Sequence, residues 1–151
     1  MQPVSSLLLE ILDEGYNRKA WHGPNLRQSL RGVSPEVAAW RPAPQRHNIW
    51  EIAVHAAYWK YVVRRRLRGD RRGSFALKGS NWFRRPLELS AKAWRADLAL
   101  LESEHRQLRQ AVADRLAGNA QDVPKRLIFG AAFHDVYHAG QIRLLRKMQA
   151  H

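Results

Sequence analysis

Two histidines stand four residues apart in FHDVYHAGQI, Phe133 to Ile142, and the chain has no cysteine to accompany them. In a helix of about 3.6 residues per turn, His134 and His138 stack on one face, close enough to share one ligand. That is the geometry of two ligands to one metal ion. A third candidate, His55 in IWEIAVHAAYW, falls among the apolar positions of a different helix. Buried imidazoles need partners, and each of these three taken alone reads first as a core histidine bonded to a carbonyl or a neighbouring side chain. Three together favour a metal. Three neutral imidazoles leave a divalent ion's charge uncompensated and at least one coordination position open, the pattern of catalytic and not of structural sites. Water bound there becomes a hydroxide donor near neutral pH, or a thiolate is held deprotonated. Zinc is the default ion, with nickel, iron or manganese as alternatives, since nitrogen ligands discriminate poorly among them. HDVYH also invites comparison with the HExxH of zinc proteases. Asp135 is one methylene shorter than the glutamate base and sits beside the metal face, which sets that reading aside.

Further residues are candidates by position, each with a plainer alternative. His22 in AWHGPNL precedes a helix N-terminus and would be a catalytic general acid or base above the ion, or else a surface or capping histidine. Gln141, one turn beyond His138, would orient a ligand or bound water, or is a satisfied core amide. Tyr137 would donate to a substrate, or packs on the helix flank. Of the six tryptophans, Trp21, Trp50 and Trp59 lie near the site in sequence and would wall an apolar substrate pocket, with core filling as the alternative. Gly130 and Gly140 are read as positions of close helix approach.

The elements that must hold these residues are helical throughout. VSSLLLEILDEGYN has apolar residues at helical spacing, with Gly15 and Asn17 to close it. Pro24 suggests a short helix from about Pro24 to Arg31, and SPEVAAWRP places Ser34 as N-cap and Pro35 at the first helical position. After the irregular RPAPQRHN, a capping box from Asn48 to Glu51 opens a helix running to about Arg68, ahead of Gly69. Asp70 to Leu89 is a connection of about twenty residues rich in Gly, Arg and Pro. Ser90 caps a third main helix closed by Gly118, and the last covers roughly Lys125 to Gln149. The fold class expected is all-α, a bundle of four main helices with short extra ones and a long connection between the second and third. The inward face of the last helix is read as Leu127, Ala131, His134, His138, Gln141 or Ile142, and Leu145. If consecutive main helices alternate direction, the second and fourth run parallel, and the long connection lets them lie side by side so that the three histidines meet.

Composition bounds the rest. At 151 residues the chain is expected to be one domain, large enough to bury a core without a structural metal, so an ion serves function. Lys and Arg number 26 against 13 Asp and Glu, a net charge of +13, which raises nucleic acid as a partner, with RRRLRGDRR, Arg64 to Arg72, as its place. Solvated helix ends in an arginine-rich composition explain the same cluster. The absence of cysteine removes disulfides, thiolate zinc sites and cysteine nucleophiles and fits a reducing cytoplasm. MQPVSSLLLEILDEGYN reads as neither a signal peptide nor a membrane span.

HNIWEIAVHAAYW after a Pro-rich connector, together with a C-terminal HDVYHAGQIRLLR, resembles the DinB-like (damage-inducible) family of four-helix-bundle metalloproteins over nearly the whole chain. The resemblance implies a metal triad of one histidine from the second main helix and an HxxxH pair from the last, which map onto His55, His134 and His138. It also implies kinship with thiol transferases dependent on bacillithiol or glutathione and with a mycothiol-dependent isomerase, hence a low-molecular-weight thiol as a candidate cofactor. The function expected is metal-dependent transfer or hydrolysis on a small-molecule substrate in the cytoplasm, with monomer and homodimer both open. A basic nucleic-acid-associated protein and a metal-binding module without turnover are the alternatives.

Overall fold

The computed structural model describes residues 3–150; Met1, Gln2 and His151 lie outside the described residues. Six α-helices follow in order: α1 (Val4–Tyr16), α2 (Leu26–Leu30), α3 (Pro35–Ala39), α4 (Ile49–Arg68), α5 (Ala91–Ala117) and α6 (Lys125–Gln149), with a 3-10 turn at Ala120–Asp122. The four long ones form the bundle, and the fold is all-helical with no strand among the described residues. Among the described residues, no helix is long and apolar enough to cross a membrane.

Short polar side chains set most boundaries. Ser34, Asn48 and Ser90 each accept the N–H three residues on, satisfying one of the free donors of the helix start. Gly69, at φ 72°, ends α4 in the left-handed region that a Cβ disfavours. Three expected boundaries differ. Pro24 lies outside α2, whose N-cap is Asn25 in a reciprocal box with Gln28. Asn48 makes only half of its expected box, because the Glu51 carboxylate turns to Arg41 and to His47. Gly15 does not close α1, which runs through it to Asn17. Its missing side chain is used for packing instead: a Cβ there would stand 2.9 Å from the Ala132 carbonyl oxygen of α6. Gly130 and Gly140, read as the close-approach positions, face open space.

Helix direction departs from simple alternation. Trp50 of α4 packs against Trp94 of α5 at 5.0 Å, and further along Arg64 pairs with Glu104 at 3.1 Å, so α4 and α5 run parallel. The link Asp70 to Leu89 makes this feasible, since about twenty extended residues reach about 65 Å, twice the length of a twenty-residue helix. It carries the chain back to the end where α4 began. The turn after α5 is short, so α6 returns antiparallel to both, and residues of α4 in rising order, His55, Lys60 and Val63, meet residues of α6 in falling order, His138, Asp135 and Leu127. The expected parallel pairing of the second and fourth main helices is therefore reversed. Their adjacency holds.

The core lies in two clusters along the bundle, one around Trp50, Ile52, Val54, Trp94, Leu101 and Ile142, the other around Leu12, Leu108, Val112 and Ile128. The long link is itself packed. Phe75 and Phe83 meet at 5.4 Å, Tyr58 joins both, and the Arg85 carbonyl accepts from Asn48 and Arg41. The basic run is likewise partly absorbed, with Arg64 paired to Glu104 and Arg65 over the Tyr61 ring.

Candidate metal centre

The centre forms where α4 and α6 face each other under the strap of residues 70–89. His134 and His138 share one face of α6 by their spacing, and His55 projects from α4 between them. His134 Nε2 lies 3.2 Å from His55 Nε2 and 3.1 Å from His138 Nε2. One nitrogen from each ring falls within 4.8 Å of the others.

The other ring nitrogens fix the tautomers. His55 Nδ1 donates to the backbone carbonyl of Asn81 at 2.8 Å, and His138 Nδ1 donates to Gln141 Oε1 at 2.7 Å. Both acceptors leave the proton on Nδ1, so both Nε2 atoms present a lone pair. His134 Nε2 sits between them and can donate a proton to one at most. A cation satisfies all three at once, and this is why the residues fit a divalent ion.

Burial keeps these rings uncharged. His55 is pushed down to about 4, mainly by desolvation, with the Asn81 carbonyl working against it and His138 and His47 adding to it. His134 is pushed down to about 3 by burial, with His138, His55 and Lys60 assisting. His138 is lowered by burial against the opposing hydrogen bond to Gln141. At neutral pH all three therefore offer lone pairs and no proton has to leave before a metal binds.

The secondary candidates divide. Gln141 orients His138 directly. Tyr137 is exposed with its ring 5.1 Å from His138, edge-on. Trp59 lies edge-on to His55 and His134, at 6.4 Å from each, and donates to Asn81 Oδ1 at 2.9 Å. His22 is exposed in the turn before α2, and no hydrogen bond or ring contact links it to the three histidines among the described residues. Trp21 is fully exposed and Trp50 is buried against Asp97 and Trp94, so neither walls this site.

Sequence reasoning missed the strap's contribution. Trp82 lies flat on His55 at 3.8 Å and 7°, and its other face stacks on His47 at 3.6 Å and 4°. Asn81 takes φ 63°, a conformation asparagine tolerates, and thereby binds His55 with its carbonyl and Trp59 with its side chain. The NW pair inside a Gly-, Arg- and Pro-rich link was the available signal. A second buried cluster was missed as well. Lys60, wholly buried, bonds Asp135 and contacts His105 Nδ1 at 3.2 Å, and Tyr16 stacks on His105 at 3.7 Å. Asp135 was expected beside the metal face, and it is: it lies inward of His134, on the core stripe Ile128, Ala132, Asp135, Ala139, Ile142.

Among families of known proteins, the model described as the DinB superfamily matches residues 19–142, a span that includes all three histidines. No curated protein and no solved structure matches the chain.

Proposed function

We propose, from the premise that this chain belongs to the DinB superfamily, that it is a metal-dependent enzyme carrying out transfer or hydrolysis on a small molecule. His55, His134 and His138 would hold the ion. The observation that carries the reading is the convergence of three Nε2 atoms, two of them on rings whose tautomers are set from behind, His55 by the Asn81 carbonyl and His138 by Gln141. A neutral ligand set of this kind supports zinc, with nickel, iron or manganese as alternatives. A bound divalent ion there supplies Lewis acidity and lowers the pKa of a coordinated water or thiol.

The chain's own residues have narrower tasks. Asn81, Gln141 and Trp82 hold the imidazoles in register. Tyr137 and Trp59 stand at the edges where a substrate meets solvent and apolar wall respectively. Among the described residues no carboxylate joins the three histidines, and Asp135 is engaged by Lys60. Proton transfer then falls to the substrate, a low-molecular-weight thiol or solvent, and His22→Ala should leave metal content unchanged.

The test uses cobalt-substituted protein. Wild type should take up about one cobalt per chain, and added thiols or small anions should shift its visible spectrum. His55→Ala/His134→Ala/His138→Ala should take up none while keeping its helical circular dichroism. A spectrum indifferent to every thiol and small anion would mean no open coordination position, and the reading would then fall to a metal-binding module without turnover.

A further inference from the structure

Below the triad, between α4 and α6, lies a cleft of about 180 Å³ with Trp59, Val63, Leu127 and Ala131 as its walls and His134 at one end. An apolar cavity of about 150 Å³ accepts benzene, so this one is the size of a single ring or a short branched chain. Lys60 and Asp135 lie at the floor but are buried against each other, and as a pair they offer no net charge to an occupant. The rim differs. Arg66 and Arg126 both line the cleft, both are exposed, and neither guanidinium has an acidic partner among the described residues. Arg126 also stands in the first turn of α6, where no acidic residue offsets the positive end of the helix dipole.

We infer that this cleft binds a small apolar carboxylate, its ring or chain against Trp59 and Val63 and its carboxylate between Arg66 and Arg126. An apolar slot with two guanidiniums at its mouth discriminates in both parts. A polar molecule forfeits the burial, and a neutral apolar one leaves the guanidiniums without the paired hydrogen bonds that a carboxylate supplies. The end of the cleft at His134 places the far end of such a ligand beside the metal centre. That the occupant is also the substrate rests on the proposed function; that the cleft takes the anion does not.

Gly130 gives a clean way to close it. The residue lines the cleft and a Cβ there meets nothing within 4 Å, so a leucine can fill the space without disturbing the core. Helix propensity also favours that exchange. The probe is 4-fluorobenzoate, followed by fluorine NMR at physiological salt with metal-free, zinc-loaded and cobalt-loaded protein. Saturable binding is expected in all three, weakened at least tenfold in Arg66→Ala/Arg126→Ala and in Gly130→Leu, and at least tenfold weaker for 4-fluorobenzamide. Cobalt should broaden the bound resonance. Absence of saturable binding, or equal binding by wild type and either variant, overturns the inference. Variant-sensitive binding that cobalt-treated protein leaves unbroadened supports the cleft and overturns only its link to the metal reaction. Cobalt uptake without benzoate binding does the reverse, leaving the centre and removing the cleft.

Discussion

His55 and Lys60 lie on one helix and His134 and Asp135 are neighbours on another, yet the two sets build opposite kinds of buried polar cluster. Lys60 brings a positive charge and Asp135 a negative one, with His105 accepting from the ammonium and Tyr16 stacked on the imidazole. The triad has three acceptors pointed at one spot and no cation of its own. A buried polar group must find its counterpart inside the protein or receive it from outside. The first cluster carries its own counter-charge as folded, although Asp135 Oδ1 and His105 Nε2 are left without a hydrogen-bond partner. The second is completed by a ligand.

Breaking the first cluster should have the largest effect. Lys60→Met leaves Asp135 buried without its partner and is expected to destabilise the fold by about 3–5 kcal/mol in urea unfolding. Lys60→Met/Asp135→Leu should recover most of that loss, since replacing a whole buried pair by apolar groups is close to neutral. Additive losses in the double variant would show that the two residues do not act as a unit.

The sequence made the triad legible and left this cluster hidden. His134 and His138 are found by spacing alone, and His55 by its place among apolar residues. Lys60 was not singled out, and Asp135 was weighed only against the HExxH glutamate, as a residue beside the metal face. The signal existed: Asp135 occupies the same periodic stripe as Ile128, Ala132, Ala139 and Ile142, and Lys60 falls in step with Ala53, Ala56 and Val63. Opposite charges on two apolar stripes imply each other, but only once the helices are known to be neighbours. Helix ends were legible because Ser34, Asn48 and Ser90 cap them locally. The direction of α5 was not, because it depends on how the strap packs, through Phe75, Phe83 and Trp82, far from any helical period.

A smaller effect separates the clusters by pH. His55 and His134 titrate at about 4 and about 3 in the folded chain, so between their ordinary value near 6.5 and those values the unfolded chain binds protons that the folded one does not. In metal-free protein these rings should therefore add no pH dependence above about pH 7 and cost stability as pH falls below about 6.5. His105, pushed down to about 2 by burial and then by Lys60, Arg109 and Arg27, adds to the same slope. Replacing the triad by glutamine should flatten the slope in part and leave the share due to His105. A slope unchanged by that replacement would mean the three rings are solvated.

The smallest effect tests the strap. Trp82→Ala removes the ring that holds His55 flat while leaving all three ligands, and should weaken zinc binding by about tenfold, read by competition with a chelator of known affinity. The same variant should leave the Lys60 cluster's contribution to stability untouched.

X-ray absorption on the zinc-loaded protein tests the central claim most directly. The account predicts three imidazole nitrogens per ion at about 2.0–2.1 Å with one further light atom from solvent, and a sulfur at about 2.3 Å in place of that atom when a thiol is added. Fewer than three imidazoles, or the same spectrum from His55→Ala/His134→Ala/His138→Ala, would contradict it.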